Sequence, residues 1–116
     1  MRFPSQYRLR CAADYKKVRR YGRHINCGAF ILQLWRREPE TKCHNCRLGV
    51  IASRRVGNAV KRNRGKRIFR EIFRLNQEQL PAQYDLVVIL RACFTRYKFD
   101  SLTQRFLGAC CRKDII

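Results

Sequence analysis

Apolar residues alternate with polar or small ones in several short stretches, a pattern typical of β-strands. Clear alternation over residues 28–35 and 46–53 predicts two strands, and a weaker one is expected at 23–26. A continuous apolar run at 84–91 predicts a strand that is buried on both sides. Because a polar loop, 36–45, joins the two clear strands, we expect them to pair as an antiparallel hairpin.

Three other stretches place apolar residues three and four positions apart, which predicts helices. The first covers 11–20, and the last covers roughly 101–112 with Asp100 as its N-cap. The longest begins between residues 56 and 61 and ends near 79, just before Pro81. Its predicted core face consists of Ile68, Phe69, Ile72, Phe73 and Leu75.

The order of these elements is α, β, β (or β, β, β), α, β, α, which predicts one α+β domain of two layers. We expect a mostly antiparallel sheet packed by helices, spanning residues 1–116, with 1–7 as a flexible arm. If the strands on either side of the central helix are parallel neighbours, general chain geometry favours a right-handed crossover between them.

The charge of the chain indicates what kind of partner it binds. The chain has 116 residues, with 27 Lys and Arg against 8 Asp and Glu, for a net charge of +19. An apolar content of 46% argues against a disordered basic tail. A folded and strongly basic domain is typical of RNA- or DNA-binding proteins. No apolar run is long enough to span a membrane and no signal peptide is evident, so we expect a cytoplasmic protein.

Basic residues are densest along the central helix. Four of them recur at intervals of four: Arg62, Lys66, Arg70 and Arg74. Like charges at this spacing destabilise a helix by a few tenths of a kcal/mol per pair. A polyanion would relieve that repulsion, and Arg can bind two phosphate oxygens at once. The pattern therefore favours a nucleic-acid surface over a passive solvated face.

The cysteines, histidines and acidic residues give only weak indications of a catalytic or metal-binding site. The odd count of seven cysteines, in a chain expected in the cytosol, favours free thiols. Cys43 and Cys46 form a C-x-x-C pair that His24 and Cys27 could complete as a zinc site, but no second such pair supports it. The two histidines and eight acids have no spacing that demands a shared acid–base site. We therefore predict no catalytic or metal-binding residues in this chain.

The stretch SRRVGNAVKRNRGKRIFREIFR, residues 53–74, resembles the signature of the bacterial ribonuclease P protein component. The matching positions are Ser53, Arg54, Arg55, Gly57, Asn58, Ala59, Val60, Arg62, Asn63, Arg64, Lys66, Arg67 and Arg70. Gly65 departs from the family, which usually has an aliphatic residue there, and we expect a local bend or looser packing. The first helix is also similar, except that Arg19 stands where the family has a second aromatic residue.

The resemblance implies a subunit of the ribonucleoprotein that removes the 5′ leader from precursor tRNA. It implies that the catalyst is the RNA subunit with bound Mg²⁺, so the partners are that RNA and precursor tRNA, with no membrane. It also implies a left-handed crossover through the central helix, against the general preference. On composition alone, a small structural ribosomal RNA-binding protein fits equally well. An intrinsically active ribonuclease is the third alternative.

Two sets of site residues follow from the resemblance. The catalytic-RNA-binding set is Arg54, Arg55, Asn58, Arg62, Asn63, Arg64, Lys66, Arg67 and Arg70. The leader-binding set is Tyr15, Arg19, Gln33 and Ser53. Tyr15 is the aromatic ring best placed to stack on a base, although its spacing alone suits a core residue equally well.

Overall fold

The computed structural model describes residues 5–38 and 45–111. Within them the chain forms three α-helices and four strands in the predicted order. These are α1 Ala12–Tyr21, β1 Arg23–Asn26, β2 Phe30–Arg36, β3 Arg47–Ile51, α2 Ala59–Leu75, β4 Tyr84–Leu90 and α3 Phe99–Cys110. Short 3₁₀ turns lie at Ser5–Tyr7, Arg54–Val56, Gln77–Gln79 and Ala92–Arg96.

The four strands form one mixed sheet in the order β1-β2-β4-β3. β4 runs antiparallel to β2 and parallel to β3, and β1 and β2 form an antiparallel hairpin. The expected hairpin of 28–35 with 46–53 is therefore wrong, because β4 lies between those two strands. The reason is burial: six of the seven residues of β4 are buried, as suits a central strand. β3 and β4 are the parallel neighbours that α2 connects, and the handedness of that connection stays a prediction.

One face of the sheet, here called the aromatic face, packs against α2 and α3. Phe69 of α2 lies between Phe30 of β2 and Phe106 of α3, with ring centroids 4.7 and 6.1 Å away. All three rings are fully buried. Aromatic rings at these separations and tilts add to the area that they bury, so this face holds the main core.

The opposite face, here called the α1 face, has a thinner apolar layer. Leu9, Val18 and Val87 are its buried residues. Tyr15, Trp35 and Ile89 are partly buried around them. Strand register places Gln33 of β2, Val87 of β4 and Gly49 of β3 side by side on this face.

A buried charge network closes one end of the α1 face. Asp85 is fully buried and accepts hydrogen bonds of 2.9 Å from both Nε and Nη2 of Arg47. It also accepts from Arg37, whose Nη1 reaches the Tyr84 carbonyl at 3.1 Å. Arg47 lies 3.8 Å from Asp14 of α1. A single carboxylate thus joins β4, β3 and the residue after β2, and connects them to α1.

Several predicted boundaries need correction. Asp100 lies inside the first turn of α3, because Lys98 holds the N-cap position. Leu75 is 56% exposed, so it is not a core residue. α2 ends there because Asn76 follows with its side chain donating to the Ile72 carbonyl at 2.8 Å. In the predicted flexible arm, residues 5–7 form a 3₁₀ turn and the Tyr7 ring lies 6.0 Å from that of Phe73.

Gly65 contradicts the expectation of looser packing. α2 continues through this residue without a break, and Gly65 is buried. A Cβ atom there would lie 2.5 Å from Leu90 Cδ1 and 3.2 Å from Phe94 Cζ. The missing side chain therefore lets the helix approach the end of β4 and the 3₁₀ turn that follows it.

Candidate nucleic-acid interface

The basic surface begins where α2 begins. Asn58 is the N-cap, and its Oδ1 accepts from the Lys61 backbone amide at 2.9 Å. Just before it, Arg54 and Arg55 are exposed on a 3₁₀ turn that the buried Val56 anchors to the core. Asn58 therefore has a structural role that the sequence resemblance did not assign, beside its predicted role in RNA binding.

The most exposed stripe of α2 differs from the ladder of four cations, spaced by four residues, that stood out in the sequence. Asn63, Arg64 and Arg67 are exposed and, with Val60, line a shallow groove. Val60 is 77% exposed, although it is apolar. The ladder residues Arg62, Lys66, Arg70 and Arg74 are half-buried along the flanks of the helix.

Few acids neutralise this surface. Among the residues that the structure describes, the one ion pair on α2 joins Arg74 to Glu71. The hydrogen bond from Arg74 lowers the pKa of the Glu71 carboxyl. The cations nearer the start of the helix have no such carboxylate among residues 5–38 and 45–111. The positive potential is therefore strongest over the first three turns of α2.

Tyr15 lies on the α1 face, at the edge of the sheet that β3 forms. Its hydroxyl donates to the Leu9 carbonyl at 3.3 Å, and its ring lies directly over Gly49. A Cβ at Gly49 would come within 2.5–2.7 Å of the ring, so only glycine leaves it room. Burial raises the pKa of the Tyr15 hydroxyl, and the nearby Arg70 opposes that shift.

Arg70 consequently connects the two predicted surfaces. It was assigned to the catalytic-RNA set, yet its charge is close enough to act on Tyr15 of the leader set. Burial is the largest cause that lowers the pKa of the Arg70 guanidinium, and the neighbouring Arg8 adds to it. Arg8 and Tyr15 are therefore both close enough to Arg70 to act on its charge. Sequence reasoning missed Arg8, because nothing local links it to Arg70.

The other three predicted leader residues lie in different environments. Gln33 is only 4% exposed, in the same row of the α1 face as Gly49. Arg19 is exposed near the end of α1, and its carbonyl lies 3.1 Å from Nε2 of His24. Ser53 is exposed two residues after β3. The structure thus brings Gln33 and Tyr15 to the same face, and the leader contacts of all four residues stay predictions.

No cluster for metal chemistry emerges from residues 5–38 and 45–111: nowhere in them do three His, Cys, Asp or Glu side chains group as a metal site. The cysteines in those ranges are all free thiols. Burial raises the pKa of Cys46 to about 12, which makes that thiol a poor nucleophile. Cys43 and His44 lie outside the described residues. In the same ranges no helix has the length and apolar character needed to cross a membrane.

Comparisons with known proteins agree with the sequence resemblance. The family model described as Ribonuclease P matches residues 3–113. The ribonuclease P protein component of Syntrophobacter fumaroxidans is 35% identical over 114 residues, covering 97% of this chain and 92% of the relative. That of Desulforapulum autotrophicum is 42% identical over 89 residues, covering 77% and 73%.

Solved structures give the same result for the fold. The RNase P protein from Thermotoga maritima superposes with a TM-score of 0.77 at 30% identity, covering 90% of this chain and 97% of that one. The Staphylococcus aureus RNase P protein gives a TM-score of 0.74 at 26% identity, covering 90% and 91%. With the family model matched over nearly its whole length, this chain belongs to the ribonuclease P protein family.

Proposed function

We propose that this chain is the protein subunit of a cytoplasmic ribonuclease P, and that it binds both the catalytic RNA and the 5′ leader of precursor tRNA. The observation that carries the proposal is the exposed and largely unneutralised stripe of cations on α2. Its cations are Arg64 and Arg67 in the first half of α2, and Arg54 and Arg55 extend it on the 3₁₀ turn just before the helix. They would contact phosphates and read the shape of the folded RNA.

The leader would bind on the α1 face. One base would stack on Tyr15, and Arg70, whose charge is close enough to act on the Tyr15 hydroxyl, would bind an adjacent phosphate. Aromatic stacking on a single-stranded base contributes about 1–3 kcal/mol. Gly49 lies directly under the Tyr15 ring and is buried, so the absence of a side chain there fixes the position of the ring.

Cleavage itself would take place in the RNA subunit, where Mg²⁺ supplies the Lewis acid. In this proposal the residues of the chain bind, orient and screen phosphate repulsion. We therefore expect the protein to lower the Mg²⁺ concentration that the catalytic RNA requires.

Reconstitution tests this assignment. Protein rigorously freed of RNA is mixed with an in vitro transcribed bacterial ribonuclease P RNA, and precursor-tRNA cleavage is measured across Mg²⁺ concentrations. We expect cleavage at low Mg²⁺ only with both subunits. Site-specific cleavage by the protein alone would establish an intrinsic ribonuclease instead. Binding to ribosomal RNA with no effect on cleavage would favour a structural ribosomal protein.

A pair of variants separates the two RNA-binding surfaces. Arg67→Ala should weaken binding to the catalytic RNA and make the plot of log K against log salt shallower by up to about one counterion. Arg74→Ala is the matched control on the same helix, because Glu71 already neutralises Arg74. If both variants changed the salt dependence equally, the exposed stripe would have no special role.

Tyr15→Ala removes a ring and no charge, so the same plot should keep its slope. Its cost should appear as weaker binding of leader-bearing precursor relative to mature tRNA, about 1 kcal/mol if one base stacks there. Tyr15→Phe keeps the ring and should keep the preference for precursor. Because Tyr15 is half-buried, thermal unfolding of each variant is measured in parallel. Equal weakening of both tRNAs, or global unfolding, would make Tyr15 a core residue.

A further inference from the structure

Arg105 of α3 is held in place in a way that few exposed arginines are. Its Nη1 donates to the Cys27 carbonyl at 3.1 Å, and its guanidinium lies 4.8 Å from the centre of the Tyr97 ring. The side chain is nevertheless exposed. A guanidinium fixed by a ring and a carbonyl loses little rotamer entropy when it binds a further group.

The floor under this pair is a tight turn between β1 and β2. Gly28 has φ of 82°, and a Cβ there would lie 2.9 Å from the Tyr97 hydroxyl and 3.2 Å from Nη1 of Arg105. Asn26 Oδ1 accepts from the Gly28 amide at 3.0 Å, and the Cys93 thiol lies 3.6 Å from the Gly28 carbonyl. The turn, the ring and the guanidinium therefore form one rigid unit, which we call the Arg105 patch.

Further cations surround the Arg105 patch. Arg96 and Lys98 flank Tyr97 in the chain, and both are exposed. Arg91 is also exposed, and its backbone amide donates to Ala29 at 3.0 Å, beside the same turn. In residues 5–38 and 45–111 these three cations and Arg105 itself form no ion pair with a carboxylate. A preorganised guanidinium within such a field fits a phosphate group.

The position of the Arg105 patch indicates which RNA supplies that phosphate. The 3₁₀ turn Ala92–Arg96 packs against the turn Arg54–Val56 that precedes α2. Its buried Phe94 lies 6.0 Å from Lys61 Nζ and closely approaches Gly65. This 3₁₀ turn thus contacts both the beginning of α2 and, through Cys93, the Gly28 carbonyl of the patch. Tyr97 packs with the aromatic face. Tyr15 lies on the other face of the sheet.

The geometry points to the Arg105 patch as a second phosphate-binding site for the backbone of the catalytic RNA, in addition to the stripe on α2. This inference rests on the proposed function and extends it. The RNA would contact the protein at two separated places on one side of the sheet, α2 and the β1–β2 turn. Two separated backbone contacts fix the orientation of a protein on RNA, which one helix cannot do alone.

Charge-removing variants test the inference against a matched control. Arg105→Gln should weaken binding to an in vitro transcribed ribonuclease P RNA about tenfold and make the salt plot shallower by about 0.7–0.9. Arg105→Lys keeps the charge and loses the planar fork, so we expect about threefold weakening at an unchanged slope. Arg20 is the control, because it stacks 5.5 Å from Tyr21 on α1, away from the patch. Arg20→Gln should change affinity less than twofold.

Equal weakening by Arg105→Gln and Arg20→Gln would overturn the inference, because it would reflect net charge alone. If Arg105→Gln fails to fold, the double variant Arg96→Gln with Lys98→Gln repeats the test on exposed side chains. Loss of precursor-tRNA affinity in the assembled enzyme, with catalytic-RNA binding unchanged, would also overturn it. If Arg67→Ala weakens binding to the catalytic RNA and Arg105→Gln does not, the inference about the Arg105 patch is wrong and the proposed function stands. If neither variant weakens binding, the proposed function is contradicted.

Discussion

The two faces of the sheet use different chemistry to hold a helix. On the aromatic face, fully buried phenylalanines pack α2 and α3. On the α1 face, a thin apolar cluster is supplemented by a buried carboxylate and two arginines. Each face therefore depends on a different kind of interaction for its stability.

This difference decides whether stability and RNA binding can be changed separately. Arg64 and Arg67 of α2 are exposed, so removing either should cost little stability and change mainly RNA binding. Tyr15, by contrast, is half-buried over Gly49 and is also the predicted stacking residue. On the α1 face the same side chains support the fold and form the candidate cleft.

The largest expected effect is on the α1 face. Asp85→Asn removes the charge that neutralises two arginines, one of them the buried Arg37. Breaking a buried ion pair on one side costs about 3–5 kcal/mol, and we expect a loss of that size in the free energy of unfolding. Denaturant unfolding measures it.

Asp14→Asn is the control for this network. Asp14 is partly exposed and 3.8 Å from Arg47, so its loss should cost less than about 1 kcal/mol. If the two variants lost similar stability, the buried network would not be what holds the α1 face together.

A glycine pair probes the aromatic face. Gly65→Ala gains about 1 kcal/mol of helix propensity but forces a methyl group against Leu90 and Phe94, an overpacking that costs about 1–3 kcal/mol. We expect a net loss of about 1 kcal/mol in thermal or denaturant unfolding. Gly108→Ala, in α3 with nothing within 4 Å of the added Cβ, should instead stabilise by about 0.5–1 kcal/mol. Stabilisation by both would mean that α2 has room to shift away from β4.

The smallest expected effect separates the two roles of Asn58. Asn58→Ala removes the N-cap of α2 and should cost about 1 kcal/mol in the free energy of unfolding. Asn58→Asp keeps a capping acceptor and so should retain stability, but it places a negative charge where phosphate is expected. If Asn58 also contacts the catalytic RNA, binding should weaken more for Asp than for Ala. Equal affinities would assign Asn58 to the fold alone.

Local patterns predicted the elements well, because each depends on neighbours in sequence. The alternation in FILQLWR and the three-and-four spacing around Phe69 and Ile72 both correspond to observed elements. The pairing of 28–35 with 46–53 was predicted wrongly, since strand pairing depends on which strand can be buried on both sides. The apolar run YDLVVIL predicted a strand that is buried on both sides, and in the structure this strand lies between β2 and β3.

The other contacts that the sequence did not predict join residues that are distant in the chain. Asp85 stood in an apolar run with no sign that Arg37 and Arg47 would enclose it. Gly65 looked like a weak point of the helix, because Leu90 and Phe94 are far away in the chain. Helical spacing predicted a basic surface on α2 but not its most exposed members, because the cations spaced by four are half-buried and Arg64 and Arg67 lie outermost. The Arg105 patch was not predicted, because three separate segments build it.

The central position of β4 has a consequence for synthesis on the ribosome. Residues 84–90 supply the strand against which both β2 and β3 must pair, and they are translated after every other strand. Until they emerge, β3 has no neighbour within the sheet and the phenylalanines of α2 lack much of their packing surface. We therefore expect the sheet to assemble only after β4 has emerged, late in translation.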